Sequence, residues 1–316
     1  MTQTPRVSIL IPTFNYAHYL EDSIPSALNQ TYTNFELIIV DNGSTDNTRE
    51  VVAKYLSDPR VSYYRNETNI GVVGNFNRCL ELANCEYIKF LCADDKFEPT
   101  IVEKYVAVMD ANPGVSLVTC DKQAFGSKSH ETITPLTHRQ SGNYSVLHMI
   151  ENNYCWIGEP TSVMFRKRDL TIGKFSYDFQ QYVDWDFWNR LLSVGDCYII
   201  PEKLVQVRFH MASISKAAKK KRFVLCFEEY RICKDVQRQE YGINTAGSRI
   251  DEAVKKRTIA CIRVAMLKTI PELYKKECRI AFRKAFKIAK GERLLSAAFT
   301  ELFSGLKRKT QRQLTN

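Results

Sequence analysis

Two adjacent carboxylates, Asp94 and Asp95, follow an apolar run at residues 87–91 of this 316-residue chain. Paired acids in a water-accessible loop suit Mg2+ or Mn2+, hard ions that keep water ligands and accept phosphate oxygens. The plainer reading of the pair is an Asp-rich turn that caps a helix. Asp41 ends a second apolar run, residues 35–40, and its carboxylate can accept hydrogen bonds from a base or a sugar, or close an Asx turn. Asp184 and Asp186 precede apolar residues at 187, 188, 191 and 192, a helical spacing that puts both acids at a helix N-terminus, where the dipole favours negative charge. His210 is a candidate metal or phosphate ligand and equally a candidate structural histidine. No GxGxxG follows the first apolar run and no GxxxxGK[ST] occurs, so phosphate charge has to be met by a metal ion or basic side chains. GxSxG is absent too, which leaves a serine-triad hydrolase unsupported.

The elements that must position these residues alternate. Residues 6–11 read as a buried strand stopped by Pro12, and an amphipathic helix follows over about 19–29. A strand at 35–40 leads to a helix through 48–56, with Ser44 or Thr45 as its cap. A third strand at 61–65, a helix at 74–83, a fourth strand at 87–91, a helix at 100–111 and a strand at 115–120 complete the pattern. Strands alternating with helices predict a mostly parallel α/β sheet with crossover connections, whose ligands bind beyond the carboxyl ends of the strands. Asp41, Asp94 and Asp95 all fall at such ends. Residues 121–144 read as loop and small hairpins, and residues 184–192 as helix. After 205–210 the texture changes to helices at 217–240, 248–268, 272–290 and 292–308. The expected organisation is therefore a catalytic domain, 1–215, and a basic helical region, 216–316.

Charge follows the same division. Residues 211–316 hold 26 Lys+Arg against 10 Asp+Glu, whereas residues 1–210 hold 19 against 25, and the net +10 of the whole conceals this. A basic appendage on an acidic body points to an anionic partner. The longest apolar runs are far shorter than a membrane span, and Val7 to Ile11 ends at Pro12 without the form of a signal region. The expectation is a cytoplasmic protein. Its ten cysteines form no CxxC pair and no zinc-type cluster, so they read as reduced, buried fillers.

Taken in order, these segments resemble glycosyltransferase family 2, whose members have the GT-A fold and move a sugar from a nucleotide-sugar, in bacterial surface polysaccharide synthesis among other roles. The resemblance runs over about residues 7–215. It rests on Val7 to Asn15, residues 26–31, residues 35–46, Asn69 to Gly71 with Asn77, Glu86 to Ile88 with Asp94-Asp95, Asp184 to Arg190, and Arg208 to His210 with Ser213 and Ser215. It implies that Pro12, Thr13 and Asn15 lie along the nucleoside, that Asp41 reads a uracil ring with Asp46 in the same loop, and that Asn69 and Asn77 line the donor. It also implies that Asp94 and Asp95 contact the donor ribose and a divalent metal on the pyrophosphate, with His210 beside that metal. Asp184 takes the place of the general base of inverting members, with Asp186 second and Arg190 at the family's usual offset. The usual Asp-x-Asp-Asp reads Cys92-Ala93-Asp94-Asp95 here, so one acid is lost, and a thiol is a poor ligand for Mg2+ or Mn2+. Glu159 to Ser162 resembles the acceptor-facing region, with Trp156 and Trp185 either stacking on a sugar or buried in the core.

The reading that results is a hexosyltransferase-type enzyme. It takes a UDP-sugar, uses Mn2+ or Mg2+, and acts on a saccharide or lipid-linked saccharide at the inner face of the cell membrane, with residues 216–316 against an anionic surface. A sugar nucleotidyltransferase would need a Gly-rich basic loop after the first strand, and residues 12–16 have none. A nucleic-acid-binding protein would use the basic tail but leave Asp41, Asp94, Asp95 and Asp184 unexplained.

Overall fold

A computed structural model describes residues 4–210, 222–269, 275–296 and 300. Among these, ten strands form one mixed sheet in the order β3-β2-β1-β4-β9-β6-β10-β5. The strands are β1 (Val7–Thr13), β2 (Phe35–Asp41), β3 (Val61–Arg65), β4 (Tyr87–Phe90), β5 (Lys96–Phe97), β6 (Val115–Gly126), β7 (His130–Thr132), β8 (His138–Gln140), β9 (Met164–Arg166) and β10 (Asp196–Phe209). β3, β2, β1 and β4 run parallel, as their helical crossovers require. β9 is antiparallel to both β4 and β6, and β6 pairs parallel with the long β10. β7 pairs β6 and β8 pairs β10, the hairpin-like strands expected of residues 121–144, although β6 itself continues six residues past the predicted end at Cys120.

The helices α1 (Ala17–Leu28), α2 (Thr48–Ala53), α3 (Gly71–Leu82), α4 (Ile101–Ala111), α5 (Gly142–Asn152) and α6 (Val183–Leu192) follow. The strand interiors are mostly apolar, with Ile9, Ile11, Leu37 and Ile39 packing in one cluster with Leu20 and Ile24 of α1 and Tyr105 of α4. Such near-continuous apolar strands are what a sheet covered on both faces demands. Pro12 sits in a central strand without breaking it, because the β1–β4 pairing ends at Leu10 opposite Phe90. Two expectations need correction. α2 is not capped by Ser44 or Thr45; Asp46 accepts from the backbone N–H and the hydroxyl of Thr48 instead. α5 was not expected, because its polar residues mask a buried side formed by Val146, Met149 and Ile150.

The chain divides into two compact units. The first contains the sheet. The second contains α7 (Arg222–Gln237), α8 (Ile250–Thr269) and α9 (Lys276–Gly291), joined by residues 147–154 and 179–182. The expected division at 215/216 thus misses two short segments that pack with the helices. Their attachment is polar: Glu228 of α7 accepts from the backbone N–H groups of Gln180, Gln181 and Tyr182 at 2.8, 2.9 and 3.0 Å, and Arg257 of α8 donates to the Ile150 carbonyl at 3.0 Å. The boundary itself, Ser213, Ser215, Lys219 and most of the expected helix 292–308 lie outside the described residues. All ten cysteines are free thiols, eight of them buried, as expected. Among the described residues no helix is long and apolar enough to cross a membrane.

Candidate active site

Because β1, β2 and β4 are parallel, the loops that follow them emerge along one edge of the sheet. The first two are tied to each other. Asn15 adopts φ 55°, a left-handed conformation that asparagine tolerates better than most residues. In it, the Asn15 N–H donates to Ser44 Oγ at 2.9 Å while Asn15 Oδ1 accepts from the Thr45 N–H at 2.8 Å. Asp46 reaches back to accept from the Ala17 N–H at 3.0 Å, so the start of α1 depends on the loop after β2. Thr13 is buried opposite Asp41 in the β1–β2 register. Asp41 is itself buried: Oδ1 accepts from the Ser44 N–H at 2.8 Å, and Oδ2 accepts from the Tyr63 hydroxyl at 2.7 Å with Arg65 3.7 Å away. The Asx-turn reading of Asp41 therefore describes its local geometry, and its remaining acceptor capacity is what a base could use.

The asparagines expected to line a donor divide. Asn69 is exposed and accepts from Asn42 Nδ2 and the Gly71 N–H, at the head of a network in which Asn66 bridges Asn42 and Asn75. Asn77 does not join it. Buried, it clamps both backbone groups of Phe175, donating to the carbonyl at 3.0 Å and accepting from the N–H at 2.9 Å. With its amide spent on the protein backbone, Asn77 is corrected from a donor-lining residue to a structural one.

The acid pair after β4 also divides. Asp95 turns inward: Oδ1 accepts from the Arg208 N–H at 2.8 Å and Oδ2 from the Thr161 hydroxyl at 2.6 Å. Burial and the neighbouring Asp94 charge push its carboxyl well above the usual range. Asp94 stays partly open, with Oδ2 3.0 Å from His210 Nε2. Two donors about 2.1 Å from an octahedral ion lie about 3.0 Å apart, so this carboxylate and imidazole have the separation of adjacent ligands of Mn2+ or Mg2+. A divalent ion fits Asp94 and His210 provided water or phosphate oxygens complete its shell. Each Asp95 oxygen already accepts one hydrogen bond, and among the described residues no group of three His, Cys, Asp or Glu side chains converges as a metal cage. Arg208 straps the loop to β10, donating from Nε to the Asp94 carbonyl and from Nη2 to Asp22. Tyr16 and Tyr19 pack their rings against His210 at 5.8 and 5.0 Å between centroids.

Below the loop, Lys89 of β4 is fully buried and donates to the Thr161 carbonyl, while its ammonium lies 4.5 Å from the Phe97 ring centroid. Burial pushes its pKa down to about 7. Thr161 also accepts from the Cys92 N–H, so one residue of the 3-10 turn Pro160–Ser162 links Lys89, Cys92 and Asp95. Cys92 takes part through its backbone, and burial holds its thiol protonated, far from a thiolate ligand.

The other carboxylates gather beside α6. Asp184 Oδ1 accepts from the adjacent Trp185 N–H at 2.8 Å. Burial pushes its pKa up to about 7, a rise aided by Glu159 and opposed by Lys122. Lys122 of β6 is buried with Nζ 3.4 Å from Glu159 Oε2, and it crosses Gly158 so closely that a Cβ there would meet the ammonium at 1.9 Å. Glu159, with its side chain 45% exposed, is held below the usual range because that ammonium outweighs its desolvation. Asp186 is also buried, but Arg190 holds it by two bonds of 3.1 and 2.7 Å, a fixed pair that removes it as a second base. Trp156 and Trp185 are 0% and 2% exposed, so neither offers a ring face to a sugar: the stacking role is corrected to a core one.

Lys89, Lys122 and Tyr63 are the residues sequence reasoning missed, while Arg208 and Thr161 lay in segments it named without a role of their own. Two had a signal: Lys89 and Lys122 each interrupt a strand that is otherwise buried. A lysine at such a position needs a partner, and the partner lies near the site.

Residues 8–171 match the family model described as Glycosyl transferase family 2. An uncharacterised Mycobacterium tuberculosis protein is 33% identical over 225 residues, 66% of this chain and 68% of its own length. The Escherichia coli protein named UDP-Glc:alpha-D-GlcNAc-diphosphoundecaprenol beta-1,3-glucosyltransferase WfgD is 29% identical over 214 residues, 68% of this chain and 80% of that one. Among solved structures, residues 1–349 of S. aureus TarS in complex with UDP-GlcNAc superpose with a TM-score of 0.63 at 16% identity, covering 89% of this chain and 79% of that one.

Proposed function

The chain belongs to glycosyltransferase family 2, with the GT-A fold, and on that premise we propose that it is an inverting, UDP-sugar-dependent transferase of bacterial-type polysaccharide synthesis. The single observation that carries this reading is the division of labour among the acids. Asp94 meets His210 in a 3.0 Å hydrogen bond, a separation that adjacent metal ligands also have, whereas desolvation raises the pKa of the half-buried Asp184 carboxylate to about 7. A UDP donor is supported by the printed activity of WfgD and by the UDP-GlcNAc bound to TarS.

Pro12, Thr13 and Asn15 flank the nucleoside, Asp41 accepts from the base, and Asn69 orders the loop beside it. Asp94 and His210 would hold a divalent ion, which would supply electrostatic stabilisation to the leaving pyrophosphate. Asp95, bonded to Thr161 and Arg208, positions Asp94. Asp184 takes the proton of the acceptor hydroxyl as that oxygen attacks the anomeric carbon, and a base with a pKa near the operating pH suits the task. Glu159 shares its surroundings and is placed to receive a hydrogen bond from another acceptor hydroxyl. The acceptor is a saccharide or lipid-linked saccharide, in line with the diphosphoundecaprenol named for WfgD. The unit that contains the sheet is the catalytic domain, and the basic helices α7 to α9 act at the anionic inner face of the cell membrane.

Calorimetric titration of UDP, first with Mn2+ and then with EDTA, tests the donor half. We expect binding that EDTA weakens at least tenfold; no binding under either condition contradicts a UDP site.

A further inference from the structure

Helix α9 carries Lys276, Arg279, Arg283, Lys287 and Lys290 at spacings of three and four residues, which places them along one face. No acidic residue occurs from Cys278 to Gly291. The opposite face is buried through Cys278, Ala281, Ala285 and Ala289, and Ala281 and Ala285 pack with Cys226 and Phe227 of α7 and Cys261 of α8. α9 is thus anchored by small residues and turns its cations to solvent. Two bulky apolar side chains flank the basic stripe: Ile280 is 56% exposed and Phe286 42% exposed. At 100° per residue they fall on either side of the Arg283–Lys287 line, on the charged face rather than the packed one.

Single exposed apolar side chains are common on protein surfaces, but here two flank one continuous basic stripe, so the face offers apolar groups and charges together. An anionic bilayer uses both, since acyl chains take the apolar groups while headgroups take the lysines and arginines. We infer that this face of α9 docks on an anionic lipid bilayer, with Ile280 and Phe286 inserted at the headgroup boundary and the five cations over the phosphates. The inference deepens the reading of a lipid-linked acceptor, on which its biological purpose rests; the surface chemistry stands on α9 itself.

Co-sedimentation of the full chain with phosphatidylcholine vesicles, with and without phosphatidylglycerol, tests it, and UDP titration of each variant reports on the transferase site separately. We expect binding that requires phosphatidylglycerol. Arg283→Glu with Lys287→Glu lowers the partition coefficient about tenfold or more, because each basic residue near the surface is worth about fivefold. Ile280→Ser with Phe286→Ser removes the part of the binding that survives high salt, and UDP binding is the same in all variants. Equal binding to vesicles with and without phosphatidylglycerol overturns the proposal, as does wild-type partitioning of either double variant. So does tight binding of duplex DNA that only the charge reversals abolish, with no vesicle binding. Vesicle binding as expected in a chain that does not bind UDP leaves the surface intact and sinks the donor assignment instead.

Discussion

The donor-side loops and the α6 side use the same residue type in opposite ways. On the donor side, Asp41, Asp46 and Asp95 are each filled by two or three hydrogen bonds from backbone amides and hydroxyls. At α6, the Asp184 hydrogen bond found is the one from its own neighbour, and burial holds its pKa near 7. Donor count alone does not set the charge: Asp46, with three bonds, is held below the usual carboxylate range, whereas burial pushes Asp95, with two, and Asp184 above it. Asp186, two residues from Asp184 on the same helix, is instead tied to Arg190 by two bonds.

The largest effect should come from removing the sparsely bonded acid. Asp184→Asn is expected to lower turnover by about 10²- to 10⁴-fold, the usual worth of a general base, with UDP affinity unchanged by calorimetry. The same variant carries a stability signature of the opposite sign. A carboxyl whose folded pKa is raised to about 7 disfavours the fold above that pH, and the penalty is relieved as pH falls from 7 towards the unfolded value. Asp184→Asn should therefore stabilise the chain at pH 8, on the order of 1–3 kcal/mol, and not at pH 4. A denaturant melt at the two pH values checks this.

Next in size is the metal-facing pair. Asp94→Asn or His210→Ala should weaken Mn2+-dependent UDP binding by about 10- to 100-fold and leave the residual binding in EDTA as it was. A loss equal in Mn2+ and EDTA would move these residues from the metal to the nucleotide.

Thr161→Val asks whether the donor framework is as rigid as its bonds imply. It removes the hydroxyl shared by Cys92 and Asp95, so unfolding experiments should show a loss of about 1–3 kcal/mol, and donor affinity should fall with it.

How much of this was legible in the sequence follows from the same contrast. Strands with a single polar residue each, such as Val7–Ile11 with Ser8 and Phe35–Val40 with Glu36, declare a covered parallel sheet, and acids at their ends declare its binding edge. Local spacing cannot say what an acid or amide bonds to. Asn77 bonds to Phe175, 98 residues away, and Asp95 to Arg208, 113 residues away. The two tryptophans look alike as core or as sugar platform until tertiary packing buries them. The segments 147–154 and 179–182 carry no compositional break, which is why their association with the helical unit could not be read.

The smallest expected effects fall on Lys122 and Glu159, which set the charge around Asp184 together with the neutral thiol of Cys155. Lys122→Met should move the acidic limb of the rate profile to higher pH, since an attraction that favours the Asp184 carboxylate is gone. Glu159→Gln should move it lower, each with a few-fold change at pH 7. Shifts in the same direction for both would break the assignment of charges.

The most direct test of the central claim is the pH dependence of kcat/KM for UDP release from a UDP-sugar in the presence of a lipid-linked saccharide acceptor. The account predicts that the wild-type rate falls about tenfold per pH unit below an apparent pKa near 7, and that Asp184→Asn removes this limb along with most of the rate. A wild-type profile flat through pH 7, or an Asp184→Asn enzyme with near-wild-type turnover, would contradict it.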